Sequence, residues 1–98
     1  MIKWLPSALR DTATIFGYIA EDDRDAAAKI ITRIYAGPQR LIAFPRSGPE
    51  RSDIADGLRA MKAGKYLLLY RINGKDVDIV RVLHSARDLA AAFAAELP

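Results

Sequence analysis

Residues 65–84, KYLLLYRINGKDVDIVRVLH, decide the fold of this chain. Two runs of Leu, Val, Ile and Tyr flank Asn73-Gly74, the dipeptide most typical of a two-residue β-hairpin loop. With Asn73 and Gly74 as the central pair of a type I′ turn, Tyr70 faces Val77 across the hairpin. The sequence therefore predicts two antiparallel strands joined by a tight turn.

The two faces of this hairpin differ, because side chains alternate along a strand. The face predicted to join the core carries Tyr66, Leu68, Tyr70, Val77 and Ile79. The opposite face is polar near the turn and apolar away from it, where it carries Leu67, Leu69 and Val80. This apolar end either binds a partner or lies beneath the chain's own C-terminal segment.

Upstream of the hairpin, the pattern predicts a strand over residues 2–5 and a helix over 7–20, with Ser7 as its N-cap. An acidic turn at 21–25 caps a second helix over 24–43. Gly37-Pro38 lies inside that helix and predicts a break near Ala36, because proline removes a backbone hydrogen bond. The two helices form an antiparallel hairpin.

Residues 44–56 are rich in turn formers and predict a loop, and residues 58–63 predict one more strand. Near the end, Asp88 caps a helix over 89–96 with an apolar stripe at Leu89, Phe93 and Leu97. The order is strand, helix hairpin, three strands and terminal helix. The prediction is one α+β domain over residues 1–98, with an antiparallel sheet packed against a helical hairpin.

Composition excludes several classes of function. The chain has 98 residues, no cysteine and one histidine, so thiolate metal sites, disulfides and cysteine nucleophiles are excluded and neither a metal nor a cofactor is expected. No apolar run reaches the roughly 18 residues of a membrane helix, and the apolar part of residues 1–6 is too short for the signal peptide pattern. The expected location is the cytoplasm, with no membrane partner.

Basic residues concentrate in one half of the chain. Residues 57–87 contain seven basic and two acidic side chains, although the whole chain carries a net charge of only +3. Such a bias favours an acidic partner, but cations also protect exposed strand edges.

Few residues could support catalysis, because no phosphate loop, HExxH or GxSxG motif occurs. Candidates are Arg59, Arg81, His84 and Arg87, with two tyrosines. Ordinary structural roles compete: a salt bridge or strand-edge position for Arg59, a local backbone hydrogen bond for His84, and core packing for Tyr66 and Tyr70. Arg81 and His84 are three residues apart, so they lie on opposite faces unless the strand ends or bulges between them.

Together the motifs resemble the ParE branch of the RelE/ParE superfamily of type II toxin–antitoxin (plasmid-stabilisation) modules, over nearly the whole chain. The matching patterns are Ala8-x-x-Asp11, Tyr18-Ile19, Leu41-x-x-x-Pro45-x-x-Gly48, Gly57-Leu58-Arg59, Tyr66-x-x-x-Tyr70-Arg71-Ile72 and Val80-Arg81-Val82-Leu83-His84-x-x-Arg87-Asp88. The resemblance implies a bacterial toxin that inhibits DNA gyrase by binding, without catalytic residues, and is neutralised by a ParD-like antitoxin.

The alternative is RelE-like cleavage of mRNA on the ribosome, in which Arg59 and Arg81 would clamp phosphate and His84 would serve as acid or base. The sequence departs from that branch because it has no lysine pair at 52–55 and has Ser85 after the histidine. Direct nucleic-acid binding is expected only in this alternative. The target-binding residues are predicted to be Arg59, Arg81, His84, Arg87 and Phe93, with the C-terminal stretch 89–97. The antitoxin-binding residues are predicted to be Leu67, Leu69, Val80, Ile15 and Ile19.

Overall fold

In the computed structural model, which describes residues 1–95, the chain forms four strands, three α-helices and one short 3₁₀ helix. In chain order these are β1 Ile2–Trp4, α1 Pro6–Ala20, α2 Arg24–Ala36, the 3₁₀ helix Gly37–Leu41, β2 Arg59–Ala63, β3 Tyr66–Asn73, β4 Asp76–His84 and α3 Leu89–Ala95. The predicted element order is confirmed. Residues 96–98, including Leu97 of the predicted stripe, lie outside the described part.

The strands form one sheet in the order β1-β4-β3-β2. The β2–β3 and β3–β4 pairs are antiparallel as predicted, whereas β1 pairs in parallel with β4 and makes the sheet mixed. The helical hairpin packs on one face, where Ala8 and Ile34 join Leu68, Tyr70 and Ile79 in the main core. This face is the one that the alternation predicted.

The turn between β3 and β4 differs from the prediction by one residue. Asn73 pairs with Asp76, so the two loop residues are Gly74 and Lys75. Gly74 has a φ of +61° and no non-glycine residue among those described has a positive φ, which fits a turn with glycine at its first central position. Tyr70 consequently faces Ile79 and not Val77. A shift of two residues keeps every side chain on its predicted face.

A β-bulge in β4 changes the face of every residue that follows it. Tyr70 pairs with Ile79 but Leu69 pairs with Arg81, which leaves Val80 as the extra residue. Without this residue, Arg81 would lie on the same face as Ile79. With it, Arg81 lies on the face away from the helical hairpin, and His84 lies on the hairpin face.

α1 begins one residue before the predicted start. Its side chains bind backbone groups on the part of the β4 edge that β1 does not pair with. Pro6 occupies the first helical turn after Leu5, and Ser7 does not cap the helix as predicted. Instead, the Ser7 hydroxyl donates to the Val80 carbonyl at 2.6 Å, and one turn later Asp11 Oδ2 accepts from the Val82 amide at 2.8 Å. The prediction failed because β1 is short and leaves these β4 backbone groups without strand partners.

The break in the second helix is confirmed. α2 begins at the predicted acidic cap, where Asp23 accepts a hydrogen bond from the Ala26 amide at 3.0 Å, and it ends at Ala36. The chain continues as the 3₁₀ helix from Gly37, because Pro38 cannot donate to a regular α-helical ladder.

α3 covers the second face of the sheet. Asp88 caps it as predicted, through a hydrogen bond from the Ala91 amide at 3.2 Å, and Phe93 is buried against the sheet. The residues beneath it include Leu67, Leu69 and Val80, all at least 93% buried. Of the two alternatives for this apolar surface, the structure therefore shows coverage by the chain's own C-terminal segment.

Candidate functional site

The residues of the ribonuclease alternative do not come together. Arg59 pairs with Tyr70 at one end of β3, and His84 pairs with Tyr66 at the other. These positions are four residues apart, or about 13 Å along the strand. Arg81 lies on the opposite face of the sheet from His84, since the bulge precedes Arg81 and does not separate the two residues.

Arg81 is fully buried and is held by α1 and α3 together. Its Nε and Nη2 donate to the two carboxylate oxygens of Asp11 at 2.7 and 3.0 Å. Its Nη1 donates to the carbonyls of Ala92 and Phe93 at 3.0 and 3.3 Å. The guanidinium joins the two layers on either side of the sheet, and neither it nor the buried Phe93 presents a surface to a partner while α3 is docked.

Arg59 binds the long loop before its own strand. Its Nη1 donates to the carbonyls of Arg46 and Gly48 at 3.2 and 2.7 Å, and its Nη2 lies 3.3 Å from Glu50 Oε1. Its side chain is 17% exposed. The guanidinium thus holds the loop in place. The salt bridge predicted as its structural role is present.

Tyr70 clamps the same loop from inside the core, as its core-packing interpretation predicts. Its hydroxyl donates to the Pro45 carbonyl at 2.8 Å and accepts from the Gly48 amide at 3.0 Å. Burial raises the pKa of this hydroxyl above its ordinary value, while the Gly48 hydrogen bond and the charges of Arg59 and Arg40 oppose the rise. The loop is therefore fixed by two side chains of the sheet.

A groove opens where the helical hairpin meets the ends of β3 and β4. It has two adjoining parts of about 400 and 440 Å³, and both are lined by Tyr18, Tyr66 and His84. Tyr18 is 78% exposed, which is unusual for a large side chain beside the core. The walls of the groove are mostly apolar, with Asp11 and Thr14 also in its lining, and the cations that line it are Arg33, Lys65 and Arg87.

His84 has a local structural role within this groove. Its Nδ1 accepts a hydrogen bond from the Ala86 amide at 3.1 Å, and its ring lies edge-on to Tyr66 with centroids 5.4 Å apart. The local backbone hydrogen bond predicted as the structural role of His84 is therefore confirmed. No carboxylate within residues 1–95 orients the imidazole, so the groove has the parts of a binding site and lacks those of an oriented acid–base pair.

The predicted residues divide clearly by location. Ile15, Ile19, the half-buried His84 and the exposed Arg87 line the groove. The remaining predicted site residues are buried or bound elsewhere. Tyr18 belongs to the Tyr18-Ile19 motif, but it was not among the predicted site residues. The sequence signal that could have identified Tyr18 is an aromatic residue between the half-buried positions of an amphipathic helix.

The described helices include none with the length and apolarity needed to cross a membrane. Among residues 1–95, no group of three or more potential metal-ligating His, Cys, Asp or Glu side chains is assembled.

Comparison with known proteins gives a consistent family. The chain is 39% identical to Toxin ParE3 of Caulobacter vibrioides over 82 residues, which covers 83% of this chain and 82% of that protein. It is 38% identical to the putative toxin Y4kP of Sinorhizobium fredii over 85 residues, 86% of each chain. A solved structure described as a chromosomal ParDE TA system from P. aeruginosa shares the fold, with a TM-score of 0.72, 22% identity and coverage of 85% of this chain and 92% of that one. The family model for the ParE toxin of type II toxin–antitoxin system, parDE, matches residues 2–89, and the chain therefore belongs to the ParE toxin family.

Proposed function

We propose that this ParE-type toxin inhibits DNA gyrase by binding to it, without breaking any bond, and that an antitoxin neutralises it in the bacterial cytoplasm. The observation that carries the proposal is the burial of Arg81 between Asp11 and α3. A guanidinium that is fully engaged inside the fold is not available to stabilise a phosphate at the surface.

The same geometry disfavours mRNA cleavage. That reaction requires a general base, a general acid and cations around one phosphate. Here Arg59 is bound to loop carbonyls, about 13 Å along the strand from the position of His84. A toxin that acts by contact requires no such convergence.

The groove between the helical hairpin and the sheet is the favoured antitoxin site. Its mostly apolar walls, including Ile15 and Ile19, fit the apolar side of an amphipathic segment, and its rim of Lys65, Arg33 and Arg87 fits carboxylates on that segment. Antitoxin contact with Leu67, Leu69 and Val80 would first require displacement of α3, whereas the groove is open. The relation to a ParDE TA system supports a partner of this kind.

The proposal is tested by inducing the toxin in a bacterium and following DNA synthesis and protein synthesis separately. Inhibition of gyrase predicts that thymidine incorporation stops while methionine incorporation continues in the first minutes. Early arrest of methionine incorporation, with cleaved mRNA, would overturn the proposal in favour of a ribonuclease. Co-expression of the toxin's antitoxin is expected to restore growth.

A further inference from the structure

A second surface, separate from the groove, lies on the loop that follows the 3₁₀ helix. We propose that residues 40–47 together with Lys62, here called the 40–47 patch, form the surface that contacts the toxin's target. This inference rests on the proposed function, because it assumes a toxin that acts by contact. The partner that the patch fits is a protein surface with carboxylates around an apolar depression.

The patch displays apolar side chains that the fold does not use. Ile42 is 59% exposed and Phe44 is 68% exposed, and the two lie two residues apart on the same loop. Phenylalanine and arginine are both enriched at protein–protein interfaces relative to the rest of the surface. The exposed Arg40 and Arg46 stand in sequence on either side of this pair.

The cations of the patch are not neutralised by the chain itself. Across residues 1–95, no ion pair or side-chain hydrogen bond engages the Arg40 or Arg46 guanidinium or the Lys62 ammonium group. The nearby carboxylates are already occupied, since Glu50 contacts Arg59 and Asp53 contacts Arg51. The charge is therefore complementary to an acidic partner.

A cleft of about 370 Å³ lies beside the patch at the outer edge of the sheet. Arg40, Lys62 and residues 47–49 are among those that line it, and its lining includes no acidic residue. β2 is an edge strand, and the loop pairs with it only near its start, where the Ala60 amide donates to the Pro49 carbonyl at 3.1 Å. The open part of that edge adjoins the cleft and carries Lys62.

The structure holds this exposed loop in one conformation. The Phe44 amide donates to the Arg40 carbonyl at 3.0 Å, and the Ser47 amide donates to the Phe44 carbonyl at 3.1 Å. Tyr70 and Arg59 fix the following residues through Pro45, Arg46 and Gly48. A surface fixed before contact loses little conformational entropy on binding, which favours affinity.

Two variants test the patch without touching the core: Ile42→Ala/Phe44→Ala removes its apolar contacts, and Arg46→Glu reverses a charge. The matched control is Leu9→Ala/Arg10→Ala, an exposed apolar residue and an exposed arginine on α1. Circular dichroism and thermal unfolding establish that each variant is folded. The readout is growth arrest at equal protein levels, with binding to the antitoxin and to DNA and RNA oligonucleotides measured in parallel.

We expect both patch variants to lose growth arrest, with the dose needed for arrest rising about 30-fold, the loss of a single interface hot spot. The patch variants should bind the antitoxin as the wild type does, and the control variant should arrest growth at the wild-type dose. Arrest that persists in both patch variants would overturn the inference, as would loss of antitoxin binding alone or nucleic-acid binding that disappears with Arg46→Glu. A wild-type chain that does not arrest growth would also overturn it.

Gyrase supercoiling by the same proteins separates this inference from the proposed function. If growth arrest depends on the patch while gyrase is unaffected, the contact surface stands and the gyrase target is wrong. If gyrase is inhibited equally by the wild type and both patch variants, the target stands and the contact surface is wrong.

Discussion

Asp11 and Arg81 form a buried two-point ion pair between α1 and β4, with Nε–Oδ2 and Nη2–Oδ1 distances of 2.7 and 3.0 Å. Asp11 also accepts the Val82 amide, and Arg81 also binds the carbonyls near the end of α3. One pair of side chains therefore satisfies a backbone group at the edge of β4 and connects α1 to α3, which lie on either side of the sheet. The carbonyls of α3 interact favourably with the positive charge at that end of the helix.

Replacing Asp11 with alanine is expected to destabilise the fold by about 3–5 kcal/mol, since it leaves the buried guanidinium without its counter-charge. Urea unfolding followed by circular dichroism measures the loss. The apolar double variant Asp11→Leu/Arg81→Met should recover part of it. Arg51→Ala, which breaks the exposed pair with Asp53, should lower the free energy of unfolding far less, because solvent screens that pair. Equal losses from the buried and the exposed pair would contradict this account of Asp11.

Stability should fall as the pH rises above about 10, in part through Tyr70. Burial raises the pKa of Tyr70 in the folded chain, so the unfolded chain releases this proton first. Between the two pKa values the folded chain keeps a proton that the unfolded chain has lost. The contribution of Tyr70 to stability is therefore complete below the unfolded pKa and is lost as the pH rises through the folded pKa. Urea unfolding at about pH 8 and about pH 10.5 detects the slope.

Tyr70→Phe is expected to make that slope shallower and to cost about 1–3 kcal/mol at neutral pH, because the Gly48 amide loses its acceptor. Tyr18→Phe is the matched control, since the Tyr18 side chain is largely exposed and should leave both quantities unchanged. An identical pH slope in wild type and Tyr70→Phe would exclude Tyr70 as the source.

Gly48→Ala should destabilise the chain by about 1–3 kcal/mol, because it overpacks a closed site. A β-carbon at this position would lie 2.5 Å from both the Ala60 carbonyl oxygen and the Tyr70 hydroxyl. Gly17→Ala has open space and a helical backbone, so it should stabilise the chain by about 0.5–1 kcal/mol. Thermal unfolding distinguishes the two, and a neutral Gly48→Ala would show that the loop is not held as described.

Tyr18→Ala should weaken antitoxin binding at least about tenfold, because the groove loses an exposed aromatic contact shared by its two parts. Stability should change by no more than about 0.5 kcal/mol, since the side chain is on the surface. Calorimetry of the toxin with its antitoxin measures the affinity. Unchanged affinity in Tyr18→Ala, together with loss on disturbing α3, would move the antitoxin site to the other face of the sheet.

Local patterns in the sequence predicted the order of elements and the two faces of the hairpin. The Gly37-Pro38 break and the caps at Asp23 and Asp88 depend on residues within one turn of each other, which is why they were predictable. The turn lies one residue after its predicted position. Asn73 pairs with Asp76 in the ladder, and of the residues in the turn only Gly74 has a positive φ.

The role of Arg81 was not predictable in the same way, because its partner Asp11 is 70 positions away in the chain. A single extra residue in β4, Val80, decides which face Arg81 occupies, and no turn former marks that bulge. The sequence predicted Arg81 among the target-binding residues, on its charge and on the family resemblance. Only the tertiary structure distinguishes it from the exposed Arg87.

Action by contact is tested by a titration of purified gyrase with the purified toxin in a plasmid supercoiling assay. We expect inhibition that depends on the ratio of toxin to gyrase, reaches a plateau near stoichiometric amounts and is relieved by the antitoxin. Undiminished supercoiling at a large excess of folded toxin, with cleavage of ribosome-bound mRNA by the same preparation, would contradict it.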